Sequence, residues 1–98
     1  MAAKTKTMPY DVAAQLRTPK EVTAYLNAWL SDFPEDTTGF IRALGEIVKA
    51  KGITRITKES GLTRASLSRA LGKNGKPSFI TVVKVMRALG LRLRVAPM

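Results

Sequence analysis

ITRITKESGLTRASLSRAL, residues 53–71, decides how this chain folds. Two short amphipathic patterns meet there across Gly61, Leu62 and Thr63. Ile53 and Ile56 stand three apart before the junction, and Leu67 and Leu71 stand four apart after it with Ala70 beside them, so each half buries one helical face. Gly61 falls where a helix ends on a residue with φ > 0, a conformation that glycine takes without a Cβ penalty. Thr63 restarts the chain, its hydroxyl placed to accept a hydrogen bond from an N–H of the next helix, while Leu62 turns inward. Two helices joined by such a turn make a helix-turn-helix. The outer face of the second helix carries Ala65, Ser68 and Arg69, flanked by Arg64 and Ser66, with no acidic residue. Short polar and cationic side chains are what the major groove of duplex DNA admits.

The distribution of charge points the same way. Residues 1–46 hold five basic and six acidic side chains, whereas residues 47–98 hold twelve basic ones against Glu59 alone, so the net charge of +10 resides in the half that contains the turn. Such a half has the electrostatic footprint of a phosphate-backbone binder, a merely solvated surface being the alternative. Ninety-eight residues allow one domain with a small core. The chain has no cysteine for a disulfide or thiolate site and no histidine to act as general base or zinc ligand. Among its seven carboxylates only Glu35 and Asp36 are adjacent, no glycine-rich phosphate loop follows a strand, and Ser66 and Ser68 have no base beside them. No enzyme, cofactor or metal site is expected. The opening MAAKTKT lacks the apolar core of a signal peptide, and no run approaches the roughly 18 apolar residues of a membrane span. A soluble cytoplasmic protein without a membrane partner is expected.

Residues 1–8 lack periodicity and are expected to form a flexible tail, leaving 9–98 as a single domain in which Asp11 caps a short turn through Leu16. Thr18, Pro19 and Glu21 form a capping box that opens an N-terminal helix spanning 17–33. Val22, Tyr25, Leu26, Trp29 and Leu30 share one face of it, with Phe33 folding back before Pro34. The spacing of the aromatics favours core burial over a stacking platform. Residues 36–90 supply the remaining helices. Asp36 or Thr37 caps the next one, which carries Phe40, Ile41, Leu44, Ile47 and Val48 inward. After a turn cluster at 72–77, Ser78 caps a last helix with Phe79, Val82, Val83, Met86 and Leu89 as inner stripe. Ile80 and Val85 widen its apolar arc and mark a second contact surface. Leu91-Arg92-Leu93-Arg94-Val95 alternates with period two, which predicts a strand at 91–95. Its unpaired backbone needs an edge from the N-terminal segment, a second copy or a partner protein, and another chain is favoured. The fold class expected is mainly α, a small helical bundle containing a helix-turn-helix, with a short C-terminal β-strand.

Several stretches together resemble one family. DVAAQLRTPKEVTAYLNAWL at 11–30, the helix before the turn, the 53–71 segment, KPSFITVVKVMRALG at 76–90 and LRLRV at 91–95 look like the layout of the small bacterial and prophage addiction-module antidote proteins, antitoxins related to the HigA group. Thr57 departs from the usual pattern, which has a small alanine at the helix crossing. Its hydroxyl must bond back to a backbone carbonyl or the helices must separate slightly. The resemblance implies a five-helix domain of phage-repressor-like type and a homodimer that represses its own operon. It also implies a cognate toxin, typically a small ribonuclease.

In a helix-turn-helix the N-terminal end of the second helix enters the major groove. Arg64 and Arg69 are candidates for bidentate contact with guanine, Ala65 for contact with a thymine methyl, and Ser66 and Ser68 for bases or phosphates. Thr54, Arg55, Lys58, Thr63, Lys73, Asn74 and Lys76 are placed to hold the DNA backbone. Ile80, Val85, Leu91, Arg92, Leu93, Arg94 and Val95 form the candidate dimer or partner interface. The partners expected are double-stranded DNA carrying a pseudo-palindromic operator, a second copy of the chain, and the toxin. Two alternatives stand beside this: a prophage-type regulator without a toxin, and a basic protein or RNA interaction module. For RNA the chain lacks an exposed aromatic platform.

Overall fold

Helix α1 spans Pro19–Asp32 and starts on a reciprocal cap. The Thr18 hydroxyl accepts from the Glu21 N–H at 3.2 Å, and the Glu21 carboxylate accepts from the Thr18 N–H at 3.0 Å. The computed structural model describes residues 18–98. The expected tail at 1–8 and the turn from Asp11 to Leu16 lie outside those residues. Four more helices follow: α2 (Thr37–Lys51), α3 (Ile53–Ser60), α4 (Arg64–Leu71) and α5 (Phe79–Ala88). Short polar side chains open three of them. The Asp36 carboxylate accepts from the Gly39 N–H, the Thr63 hydroxyl from the Ser66 N–H and the Ser78 hydroxyl from the Thr81 N–H, each satisfying a donor that the helix itself leaves free.

Helix α2 is the centre of the bundle. It packs against α1, α3 and α4, while α5 lies on α3. Ala43, Leu44, Ile47 and Val48 of α2 are buried with Val22 and Leu26 of α1 and with Val85, Met86 and Leu89 at the other end of the chain. Helices α3 and α4, eight residues each, contribute one fully buried side chain apiece, Ile56 and Leu67. Two-turn helices do not hold in water by themselves. Burial of one large aliphatic side chain contributes about 1.5–3 kcal/mol, so these two anchors, with half-buried Ile53, Leu62 and Leu71 around them, fix the short helices to α2.

Four expectations are corrected. Residues 91–95 are not a strand, and no strand exists among the described residues. Helix α5 ends instead in a paired cap: Gly90, at φ 83°, donates to the Arg87 carbonyl at 3.0 Å, and Leu91 donates to the Met86 carbonyl at 2.9 Å. This is the Schellman arrangement, with the residue after the glycine folding back on the helix. Leu91 is therefore half-buried because it closes a helix, and no described sheet edge lies nearby to pair with 92–95. Second, Val85 is no surface residue; it is 0% exposed at the heart of the core. Third, Phe79, placed on the inner stripe by its spacing, is 72% exposed beside Ile80. The stripe of α5 runs through Val82, Val85, Met86 and Leu89, and Phe79 and Ile80 in its first turn lie outside it. On α1, Leu30 also lies outside the core, half exposed.

Candidate nucleic-acid interface

The junction between α3 and α4 is built from local bonds. Gly61 takes φ 79°, ψ 4°, and its N–H donates to the Thr57 carbonyl at 3.0 Å, closing α3. Leu62 donates its N–H to the Ser60 hydroxyl at 3.2 Å and turns its side chain onto the core. Thr63 is extended, and its hydroxyl holds the Ser66 N–H at 2.9 Å. The Thr57 hydroxyl donates to the Thr54 carbonyl at 2.8 Å, which answers the question raised by its place at the helix crossing. It is satisfied within its own helix, and α3 and α4 remain packed together.

On α4, Leu67 faces the core at 1% exposure; Ala65, Ser68 and Arg69 are exposed on the outer face, and Arg64, also exposed, flanks that face at the start of the helix. Ser66 is half-buried and supplies its N–H to the cap. The Arg64 guanidinium does not extend freely from the helix: its Nη2 donates to the Thr54 hydroxyl at 2.9 Å, joining the first turns of α4 and α3. A residue expected to contact a base and one expected to contact the backbone are thus brought together. Arg55 is paired with Glu59 one turn along α3 at 3.4 Å, an exposed pair of small energetic weight. Lys58 is exposed on the same helix.

At the far end of α4, Lys73, Asn74 and Lys76 are exposed on the turn at 72–78, where the Gly75 N–H donates to the Gly72 carbonyl at 3.0 Å. They sit beyond the C-terminal end of α4, whereas Thr54, Thr63 and Arg64 lie at the N-terminal ends of α3 and α4. Two features escaped the sequence reading. Gly52 is the N-cap of α3 and brings no side chain to accept from its first N–H groups. Between α2 and α4 lies a cleft of about 430 Å³, lined by Leu67 and Leu71 together with Arg42, Lys49, Lys73 and the carboxylate-bearing Glu46. Arg42 and Lys49 belong to α2, and periodicity alone gave no sign that they line the same cleft as α4.

The expected interface is divided. Ile80 at 66%, Leu93 at 44% and Val95 at 100% exposure remain on the surface with Arg92 and Arg94, and Phe79 joins them. Leu91 is half-buried and Val85 is lost to the core. Among the described residues no group of three or more His, Cys, Asp or Glu side chains could hold a metal ion. No helix among them is long and apolar enough to cross a membrane.

Residues 6–97 match the family model described as probable addiction module antidote protein. The chain belongs to this family. It is also 37% identical over 86 residues to an uncharacterized protein of Haemophilus influenzae, an alignment that covers 88% of this chain and 87% of that one. No solved structure matches it. Membership implies the role of an antitoxin in an addiction module and a cognate toxin as partner, and proteins of antidote families are generally not enzymes.

Proposed function

We propose that this protein is a homodimeric, sequence-specific DNA-binding repressor of the HigA-like kind, a cytoplasmic antitoxin that neutralises its toxin and represses the operon encoding both. The observation that carries the proposal is the outer face of α4. It exposes Ala65, Ser68 and Arg69, flanked by Arg64, without a carboxylate, at the edge of a turn whose geometry is fixed by Gly61 and Thr63. In this reading α3, the turn and α4 act as a helix-turn-helix, and the N-terminal half of α4 enters the major groove. Arg69 and Arg64 contact guanine edges, Ala65 a thymine methyl, and Ser66 and Ser68 bases or phosphates. Lys58, Lys73, Asn74 and Lys76 hold the backbone from both ends of α4, aided by Arg55 and by the Thr63 hydroxyl. Exposed Phe79, Ile80, Leu93 and Val95, with Leu91, Arg92 and Arg94, form the surface for a second chain.

Two copies bind a pseudo-palindrome whose half-sites are about one helical turn, roughly 34 Å, apart. The test is selection of duplexes from a random pool, followed by titration of the selected site with the Arg69→Ala variant. That variant is expected to bind about 1–3 kcal/mol more weakly and to relax the base preference at one position per half-site. Equal binding of both proteins to every duplex, selected or scrambled, would overturn sequence-specific recognition through α4.

A further inference from the structure

Thr54 and Arg64 are ten residues apart in sequence and both exposed, yet they are joined by a 2.9 Å hydrogen bond. The turn and capping bonds around it span two to four residues. The bond therefore reports how α3 is placed against α4. Arg64 is the first residue of α4, directly after its cap Thr63, and Thr54 is the second residue of α3. An arginine in that place would otherwise sweep a wide volume of solvent. Its guanidinium has five N–H donors; one is given to Thr54, and enough remain for the two bonds that a guanine edge accepts through O6 and N7. Restricting a long side chain before it binds removes part of the ordering entropy of recognition. The Thr54 backbone is itself tied down, because its carbonyl accepts from the Thr57 hydroxyl at 2.8 Å.

Resting on the proposed reading of α4 as recognition helix, we propose that Thr54 and Arg64 form one base-reading unit. Arg64 contacts a guanine in the major groove, and Thr54 is the positioning residue that aims it, in place of the phosphate contact its position on α3 first suggested. Thr57 in turn steadies Thr54 from within α3. Specificity at one base pair of each half-site thereby depends on a side chain that need not touch the base.

Random-duplex selection with the full-length chain and its Arg64→Ala, Thr54→Val and Thr54→Ser variants tests this. Valine keeps the shape of threonine at an exposed site while removing the acceptor, and thermal melting monitored by circular dichroism checks that each variant remains folded. The wild type is expected to enrich guanine at one half-site position, and Arg64→Ala to lose that enrichment by roughly 5- to 150-fold. Thr54→Val is expected to weaken preference at that same position by roughly 2- to 12-fold, the range for one hydrogen bond, with all other positions unchanged. Thr54→Ser should restore it. A Thr54→Val protein with full guanine preference overturns the unit. So does one that binds all duplexes proportionally more weakly, since that is the behaviour of a phosphate contact. If Arg64→Ala retains the preference, Arg64 is not the reader. If the wild type enriches no duplex at all, the DNA-binding function itself fails, an outcome distinct from failure of the Thr54–Arg64 pairing.

Discussion

Single residues set the geometry of the junction. Gly61 at φ 79° meets no neighbouring atom where a Cβ would stand, so the demand on it is purely one of backbone conformation. Gly61→Ala is expected to destabilise the fold by roughly 1–2 kcal/mol, the usual cost of placing an L-residue in the left-handed region, as measured by urea unfolding. Thr63→Ala removes the acceptor for the Ser66 N–H and is expected to cost about 1 kcal/mol. Because that cap orients the first turn of α4, the same variant should also weaken duplex binding in titrations at constant salt. Both residues were legible in the sequence, since what they do involves only neighbours within a few positions. Arg64 was legible as an exposed cation but not as the partner of Thr54, because their separation depends on how two helices cross.

At the scale of elements, caps and breaks were read from the chain almost to the residue. Thr18, Asp36, Thr63 and Ser78 each open the helix expected of them. Helical phase was less secure. The apolar positions of α5 cover more than half its circumference, so the pattern 79, 82, 83, 86, 89 and the observed 82, 85, 86, 89 were nearly equivalent until α3 and α2 chose between them. Residues 91–95 failed for a related reason: period two is a necessary mark of a strand, but a strand also needs an edge, and the Leu91 N–H was already committed to Met86. The corrected phase carries a prediction. Ile56→Ala, at the only fully buried position of α3, is expected to destabilise the domain by about 2–5 kcal/mol in denaturant titration. Phe79→Glu, at a 72% exposed position, is expected to change stability by no more than about 0.5 kcal/mol. It should instead shift the proposed dimer toward monomer in analytical ultracentrifugation. An unaltered sedimentation coefficient across the concentration range would remove Phe79 from the dimer surface.

For the whole molecule the separation of charge is the governing property. Twelve of the thirteen charged side chains in residues 47–98 are cationic, and on the proposed function that field is directed at phosphates. The logarithm of duplex affinity should fall linearly with the logarithm of salt concentration, with a slope of about −0.9 for each phosphate neutralised. Lys73→Ala should reduce that slope by about one while leaving base preference intact, the converse of the Thr54→Val result. Composition, charge, the junction at 61–63 and the helix caps were determined by the sequence alone. Each follows from local stereochemistry or from counting, and neither changes when distant parts of the chain are rearranged. Tertiary structure alone showed which face of α5 is buried, that 91–95 closes a helix without forming a strand, and that Arg64 rests on Thr54. The first and the last depend on distances between elements set by packing around α2, where Leu44 and Ile47, fully buried, fix the positions of the helices that meet there, whereas the second is a local cap that the period-two pattern of 91–95 concealed.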